Sequence, residues 1–480
     1  MKKYFLMALT AGLFLTGCDN VTTPAPLASE NSLAPFLETT QTARMLGGSL
    51  ELSKMEGLAY DEKSRILYVA MSRIEKKMID AEGGIQMPKN ICGGIFAAQL
   101  DSNLVATKIT PVLMGQQSAD GKTCSQDAIA EPDNLYLDGK GRLWIGEDTS
   151  HHTTNMLWVY EPANGSLKRF ATVPLGAEVT GLHISATGDV FMNVQHPDKA
   201  NPAPFNKGTV GVVSGFNAHA SDFAGLGVPQ GEAQKTVQVA AGTYTILSQS
   251  GEAGAGVVSG SAQPCNNPDG NMLLPSGNDA VLYTNFECVP GGVLKQNLKR
   301  VNGSWTVEGR QMVDFSAVNG TWRNCNGSVS PWNTALSSEE DAVEDTSLSE
   351  WQSWDEYKAM SAHIGKSANR YDYGYIMEIT PTATGSEVRK RYALGRTNFE
   401  MALVLPDRKT VYLGDDGNTR GMYKFVADTA GDLSAGTLYT AQFTQVDDAT
   451  SANGKSLNVT WLRMGHGVES EIAAAIRRLN

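Results

Sequence analysis

Residues 132–148 read Pro132-Asp-Asn-Leu-Tyr-Leu-Asp-Gly-Lys-Gly-Arg142-Leu-Trp-Ile-Gly-Glu-Asp148. An acidic start leads into an apolar run, a Gly-containing turn follows, and a second apolar run ends in acids. That pattern predicts a β-hairpin. The theme recurs along the chain. The first copy is Glu56-Gly-Leu-Ala-Tyr-Asp61 with Ile66-Leu-Tyr-Val-Ala70, and the stretch above is the second. The third is Gly181-Leu-His-Ile-Ser185 with Asp189-Val-Phe-Met-Asn-Val-Gln195, and the fourth Gly270-Asn-Met-Leu-Leu274 with Ala280-Val-Leu-Tyr-Thr-Asn-Phe-Glu287. A more degenerate fifth runs from Asn326-Gly-Ser-Val-Ser-Pro-Trp332 to Leu336-Ser-Ser-Glu-Glu340. The sixth is Phe399-Glu-Met-Ala-Leu-Val-Leu405 with Thr410-Val-Tyr-Leu-Gly-Asp-Asp416.

Six such hairpins at irregular intervals predict an all-β, six-bladed β-propeller with loop insertions. Each hairpin would be the inner pair of a four-stranded blade. A sandwich or barrel with similar hairpins fits a repeat over the whole chain less well. Helix is expected only near Trp354–Ile364 and in a short C-terminal segment, Val468–Leu479.

Working outward, the N-terminus reads as a targeting segment. Lys2 and Lys3 precede an apolar run too short to span a bilayer. It ends in Leu15-Thr16-Gly17-Cys18, the pattern of a bacterial lipoprotein signal, which makes Cys18 the lipidation site. Residues 1–17 are then the signal peptide, 18–48 a flexible tether rich in Thr, Pro, Ala and Ser, and 49–480 the catalytic propeller. The expected location is the cell envelope, on the periplasmic side of the inner membrane or in the outer membrane. Asp19, after the cysteine, resembles an inner-membrane retention signal. The membrane is met through the lipid only, and a monomer is expected. A net charge of −12 argues against nucleic acid as a partner.

An exported chain forms disulfides. The sequence-near pairs are Cys92 with Cys124 and Cys265 with Cys288, although spacing does not fix connectivity. Cys325 is then left over.

The residues that begin the inner strands are Glu56, Glu131 with Asp133, Thr180, Asp269, Cys325 and Glu400. In a propeller these converge at one mouth. Converging carboxylates repel unless a cation neutralises them. Hard cations take carboxylate oxygens, and a thiolate among them points to a transition metal as well. The acids that close the second strands, Glu147-Asp148, Glu287, Glu339-Glu340 and Asp415-Asp416, are ordinary hairpin exits, some of which could return to that mouth. His151-His152 reads as a surface loop pair.

Residues 322–340 carry a resemblance. Trp322-Arg-Asn-Cys-Asn-Gly-Ser-Val-Ser-Pro-Trp332, followed by Glu339-Glu340, resembles the signature of the PhoX-type alkaline phosphatases. Gly395-Arg-Thr-Asn-Phe-Glu-Met-Ala402 is similar to the family's Gly-Arg-Phe-x-His-Glu-Gly-Ala, with Phe399 for its His and Met401 for its Gly. Val411–Asp416 and the Pro132-Asp-Asn and Gln195-His-Pro segments are also similar. The last two precede the cysteine motif here and follow it in the family, an order that suggests circular permutation. The resemblance implies calcium and iron at the mouth, Cys325 as the iron ligand, and Glu400 with members of Glu339-Glu340 as metal ligands. Glu56, Glu131, Asp133 and Asp416 are the further metal-ligand candidates, from their places in the repeats. Arg323 and Arg396 flank the two motifs and are candidates to clamp phosphate. With Asn324 they are the catalytic candidates. The expected activity is hydrolysis of a small phosphate ester, a monoester first and a diester next. The alternatives are a calcium-dependent propeller lactonase or phytase-like esterase, which needs no thiolate, and a non-catalytic binding propeller.

Overall fold

The computed structural model describes residues 33–252, 265–340, 346–446 and 454–479. Cys18 and the signal segment lie outside the described residues. The chain is mostly β, with 46% strand and 13% helix.

Each predicted hairpin forms, and each extends into an antiparallel meander. The meanders begin with strands Met55–Asp61, Pro132–Leu137, Glu178–Ile184, Pro268–Ser276, Asn324–Val329 and Phe399–Val404. These first strands neighbour one another in chain order, and the last lies beside the first, so they close a ring. Apolar clusters fill the space between successive units. Ala59, Tyr68 and Ile95 of the first unit pack against Leu135, Ile145 and Trp158 of the second. Asparagines latch neighbouring units together where no ladder can. Asn134 Oδ1 accepts from Gly181 N at 2.8 Å, and Asn285 Nδ2 donates to Cys325 O at 2.6 Å.

The ring is closed through the sheets. Asp432–Val446 ends the sixth meander, and Ser456–Val468 folds back along it. That last strand also pairs with Ala106–Met114 of the first unit, at Leu457 with Ile109 and Asn458 with Lys108. First and last units therefore share one sheet. Among the described residues no helix is long and apolar enough to cross a membrane.

Helices Asp355–Ile364 and Glu469–Arg478 match the expected ones. The tether does not extend to residue 48. Residues Ala34–Leu37 and Thr39–Leu46 are helical, and Phe36 and Ala43 are fully buried. These elements are too short to show a helical period in the sequence. Their placement comes from packing, which outweighs local propensity. The disulfides are Cys92–Cys124 and Cys265–Cys288, and Cys325 is free and buried.

Candidate metal centre

Every first strand carries a β-bulge at the same place. The ladder register slips after Met55, Pro132, Thr180, Pro268, Asn324 and Phe399. A bulge re-aims the side chains it displaces. The residues re-aimed are Glu56, Asp133, Gly181, Asp269, Cys325 and Glu400. Thr180 therefore stands one place before the equivalent position, and its hydroxyl donates to Pro268 O at 3.0 Å. Glycine follows two of the acids for a steric reason. A Cβ on Gly57 would lie 2.3 Å from Asp133 O, and one on Gly270 would lie 2.5 Å from Gly327 N. Their absence lets neighbouring strands approach and brings the acids together.

One oxygen each from Glu56, Asp133 and Glu400 lies within 4.8 Å of the others, and all three residues are buried. Cys325 Sγ lies 3.1 Å from Asp269 Oδ2 and 3.2 Å from Glu400 Oε2. Glu400 thus joins a carboxylate cluster to a thiol cluster. Beyond the bulges the same strands line a cavity of about 250 Å³ of mixed character, with Leu58, Leu135 and Met401 beside His183, Asn271 and Ser328.

The electrostatics follow from crowding without water. Burial, and then the charge of Asp416, pushes the Glu56 carboxyl well above the usual carboxylate range. Burial and Asp269 raise Asp133, and burial and Glu287 raise Asp269. Burial and Glu56 raise Glu400, while burial, Asp269 and Glu400 push up the Cys325 thiol. Lys54 partly compensates, with Nζ 3.0 Å from Glu56 Oε1 and 3.7 Å from Asp148 Oδ2. Glu56 foremost holds that lysine charged far beyond its ordinary range.

The donors fit cations. Asp269 Oδ1 and Asp416 Oδ1 are buried without a hydrogen-bond partner among the described residues. Orphaned acceptors beside a cluster of acids are what a cation would satisfy.

The acidic doublets divide their labour. In Glu147-Asp148, Glu339-Glu340 and Asp415-Asp416 the first residue ends the second strand and is fully buried. Its carboxylate holds the scaffold. Glu147 accepts from Ala130 N at 2.9 Å and Trp158 Nε1 at 2.6 Å, and meets His152 Nδ1 at 3.0 Å. Its neighbour acts on the mouth: Asp148 on Glu178 and Asp133, Glu340 on Cys325 and Glu400, Asp416 on Glu56. Glu287 follows its strand in the same way and acts on Asp269.

Several expected residues are placed elsewhere. Glu339 accepts from Lys390 Nζ at 2.9 Å, Trp322 N at 3.1 Å and Gly374 N at 2.9 Å, so it has little left for a metal. Glu131 is taken by Arg73 and by Thr149 Oγ1 at 2.6 Å. Asn324 is fully buried, with Nδ2 donating to Thr321 Oγ1 at 2.9 Å and Ser337 Oγ at 3.0 Å. Arg396 is fully buried and donates to the carbonyls of Tyr373, Leu37 and Arg370 at 2.9, 3.2 and 3.1 Å. It pins the N-terminal helices and cannot reach a substrate. Arg323 remains at the mouth, with a third of its side chain exposed.

The sequence reading missed Glu178 as a site residue. The third unit has Gly181 at the bulge, and Glu178 stands in, 2.6 Å from His196 Nε2. Burial raises Glu178 to about 8, and Glu178 raises His196 to about 9 against its burial. The adjoining Gln195-His-Pro segment was the available signal.

Comparison with known proteins gives a family. A family model described as "Alkaline phosphatase PhoX" matches residues 19–198 and 294–477, a split arrangement consistent with the permuted order of the motifs. No curated protein matches the chain. Among solved structures, a gluconolactonase of Xanthomonas campestris is similar at 10% identity and a TM-score of 0.41, covering 78% of this chain and 90% of that one. A periplasmic gluconolactonase of Pseudomonas aeruginosa is similar at 11% identity and 0.38, covering 84% and 88%. Likeness this remote says nothing about chemistry. Because the family model spans most of the residues that build the mouth, Cys325 and Glu400 among them, the chain belongs to the PhoX family of alkaline phosphatases.

Proposed function

We infer that the protein is a metal-dependent phosphate-ester hydrolase on a six-bladed β-propeller, held in a bacterial cell envelope by lipid on Cys18 and acting as a monomer on a small phosphate ester. The observation that carries this reading is the meeting of Glu56, Asp133 and Glu400 with Cys325 and Asp269 at one mouth. The carboxylate oxygens suit a hard cation such as calcium, and the Cys325 sulfur suits a transition metal, iron in the family. Glu56, Asp133 and Glu400 would hold the first, and Cys325, Asp269 and Glu400 the second, with Asp416 and Glu340 beside them. Bound there, such ions would neutralise phosphate oxygens and stabilise the charge that develops during displacement at phosphorus.

The chain's own groups do the rest. Arg323, at the rim, presents paired N–H groups that match two phosphate oxygens. Lys54 keeps a fixed positive charge beside Glu56 and Asp148, which tempers the repulsion of an incoming anion. The His196 and Glu178 pair holds a proton at the same mouth, where a leaving alkoxide needs one.

A calcium-only lactonase reading explains the carboxylates and leaves the thiol unexplained. Metal analysis of the purified protein, with hydrolysis of p-nitrophenyl phosphate, bis-p-nitrophenyl phosphate and a simple lactone, separates the two. Iron and calcium with phosphate-ester turnover support the reading. Calcium alone with lactone turnover replaces it.

A further inference from the structure

Arg323 opens the cysteine motif with φ at 36°, in the left-handed region. Its amide donates to Cys288 O at 3.0 Å, and its carbonyl accepts from Glu340 N at 3.0 Å. A non-glycine residue in that conformation is uncommon and is held there by its surroundings. The result is a guanidinium directed over the mouth. It stands 3.9 Å from Glu287 Oε1 and 3.6 Å from Glu356 Oε1. Both separations exceed hydrogen-bonding range, so these are loose ion pairs.

The two carboxylates differ in origin. Glu287 belongs to the mouth and is fixed there, with Gln195 Nε2 donating to it at 2.9 Å. Glu356 comes from helix Asp355–Ile364, in the long connection between the second and third strands of the fifth unit, and it is 41% exposed. Trp351 seats that connection, with its ring 6.1 Å from Trp322 and 4.9 Å from Tyr357. Glu356 is therefore presented to Arg323 by a packed support, and its own head remains partly in water.

We propose that Glu356 is a displaceable counter-ion of Arg323, holding the guanidinium over the mouth when no anion is bound and yielding it to a phosphate group. This rests on the phosphate-ester reading above. A phosphate group offers Arg323 two oxygens in matching geometry, while Glu356 offers one at long range. Glu287 is tied and stays. Glu356 thereby sets how tightly both the substrate and the released inorganic phosphate are held.

The test is binding of inorganic phosphate to the metal-loaded protein by calorimetry, with KM and kcat for p-nitrophenyl phosphate. The variants are Glu356→Gln, Glu356→Asp and Arg323→Ala. Glu356→Gln removes one competing anion, and a loose, partly exposed pair implies an effect of about three- to fivefold. Phosphate should bind tighter by that factor and KM should fall with it, with kcat not raised and the melting temperature unchanged. Glu356→Asp should behave like the wild type, and Arg323→Ala should bind phosphate about tenfold more weakly or worse. If Glu356→Gln leaves phosphate affinity unchanged or weaker while Arg323→Ala weakens it, the counter-ion role is wrong and the phosphate-ester reading stands. If the wild type neither binds phosphate nor turns over the ester, both fail.

Discussion

Glu339 and Glu340 are adjacent in sequence and do opposite work. Glu339 is fully buried and accepts from Lys390 Nζ at 2.9 Å, whereas Glu340 is partly exposed and its charge bears on Cys325 and Glu400. Successive side chains at a strand end point to opposite sides, so one acid of the doublet builds the wall and the other faces the mouth. Glu339→Gln should therefore cost stability, about 3 kcal/mol, because it leaves Lys390 buried and uncompensated. Glu340→Gln should leave the melting temperature nearly unchanged and lower activity. Equal thermal shifts in the two variants would refute the division.

Cys325→Ser keeps the size of the side chain and removes the soft ligand. Transition-metal content should fall by on the order of 100-fold in affinity, with loss of any thiolate-to-metal colour and of ester hydrolysis. Circular dichroism should be unchanged. A variant that retains its metal and its turnover would remove the thiol from the site.

Arg323 and Arg396 flank the two family motifs and should respond differently. Arg396→Ala leaves the carbonyls of Tyr373, Leu37 and Arg370 without their donor, at a cost of about 3 kcal/mol. Hydrogen exchange over residues 34–46 should speed up. KM should stay near the wild-type value in whatever fraction remains folded. A large rise in KM without loss of stability would contradict the buried placement.

Lys424 supplies a pH test far from the mouth. Its Nζ lies 4.9 Å from the ring centroids of Tyr439 and Trp461, and burial, partly offset by Asp101, lowers it to about 8. An unfolded lysine holds its proton to about pH 10.4. Between about pH 8 and 10.4 unfolding takes up a proton, so this group makes the fold more stable as pH rises through that window. Lys424→Met lacks the penalty and should be more stable at pH 7 by about 2 kcal/mol, after the lost cation–π contacts are counted. The advantage should shrink as pH climbs past 8. A difference that is flat with pH would mean that the lysine is protonated in the fold.

Much of the fold was legible because the hairpins repeat and their turns are marked by Gly, Asp and Asn. Cys325, Glu56, Asp133 and Glu400 were legible because each occupies the same place in its repeat. Glu131 and Asp133 stand two positions apart and share the parity of one strand, so alternation cannot rank them. Arg73, 58 residues away, takes the first. Arg396 looks like a substrate clamp until helices that show no sequence period close over it. Glu178 stayed hidden because the bulge register, which assigns Gly181 to the ring, is a property of pairing and not of composition.

The shared sheet and the mouth lie on the same seam. Glu56 enters from the first unit and Glu400 from the last, on the innermost strands of the sheet whose outermost strands Ser456–Val468 stitches shut. The ring is closed at its rim only when the last strand has paired with Ala106–Met114. Any ion seated between Glu56, Asp133 and Glu400 fastens the two ends of the chain. Its binding energy becomes resistance to the ring springing open, and chelation should act first as a loosening of that seam.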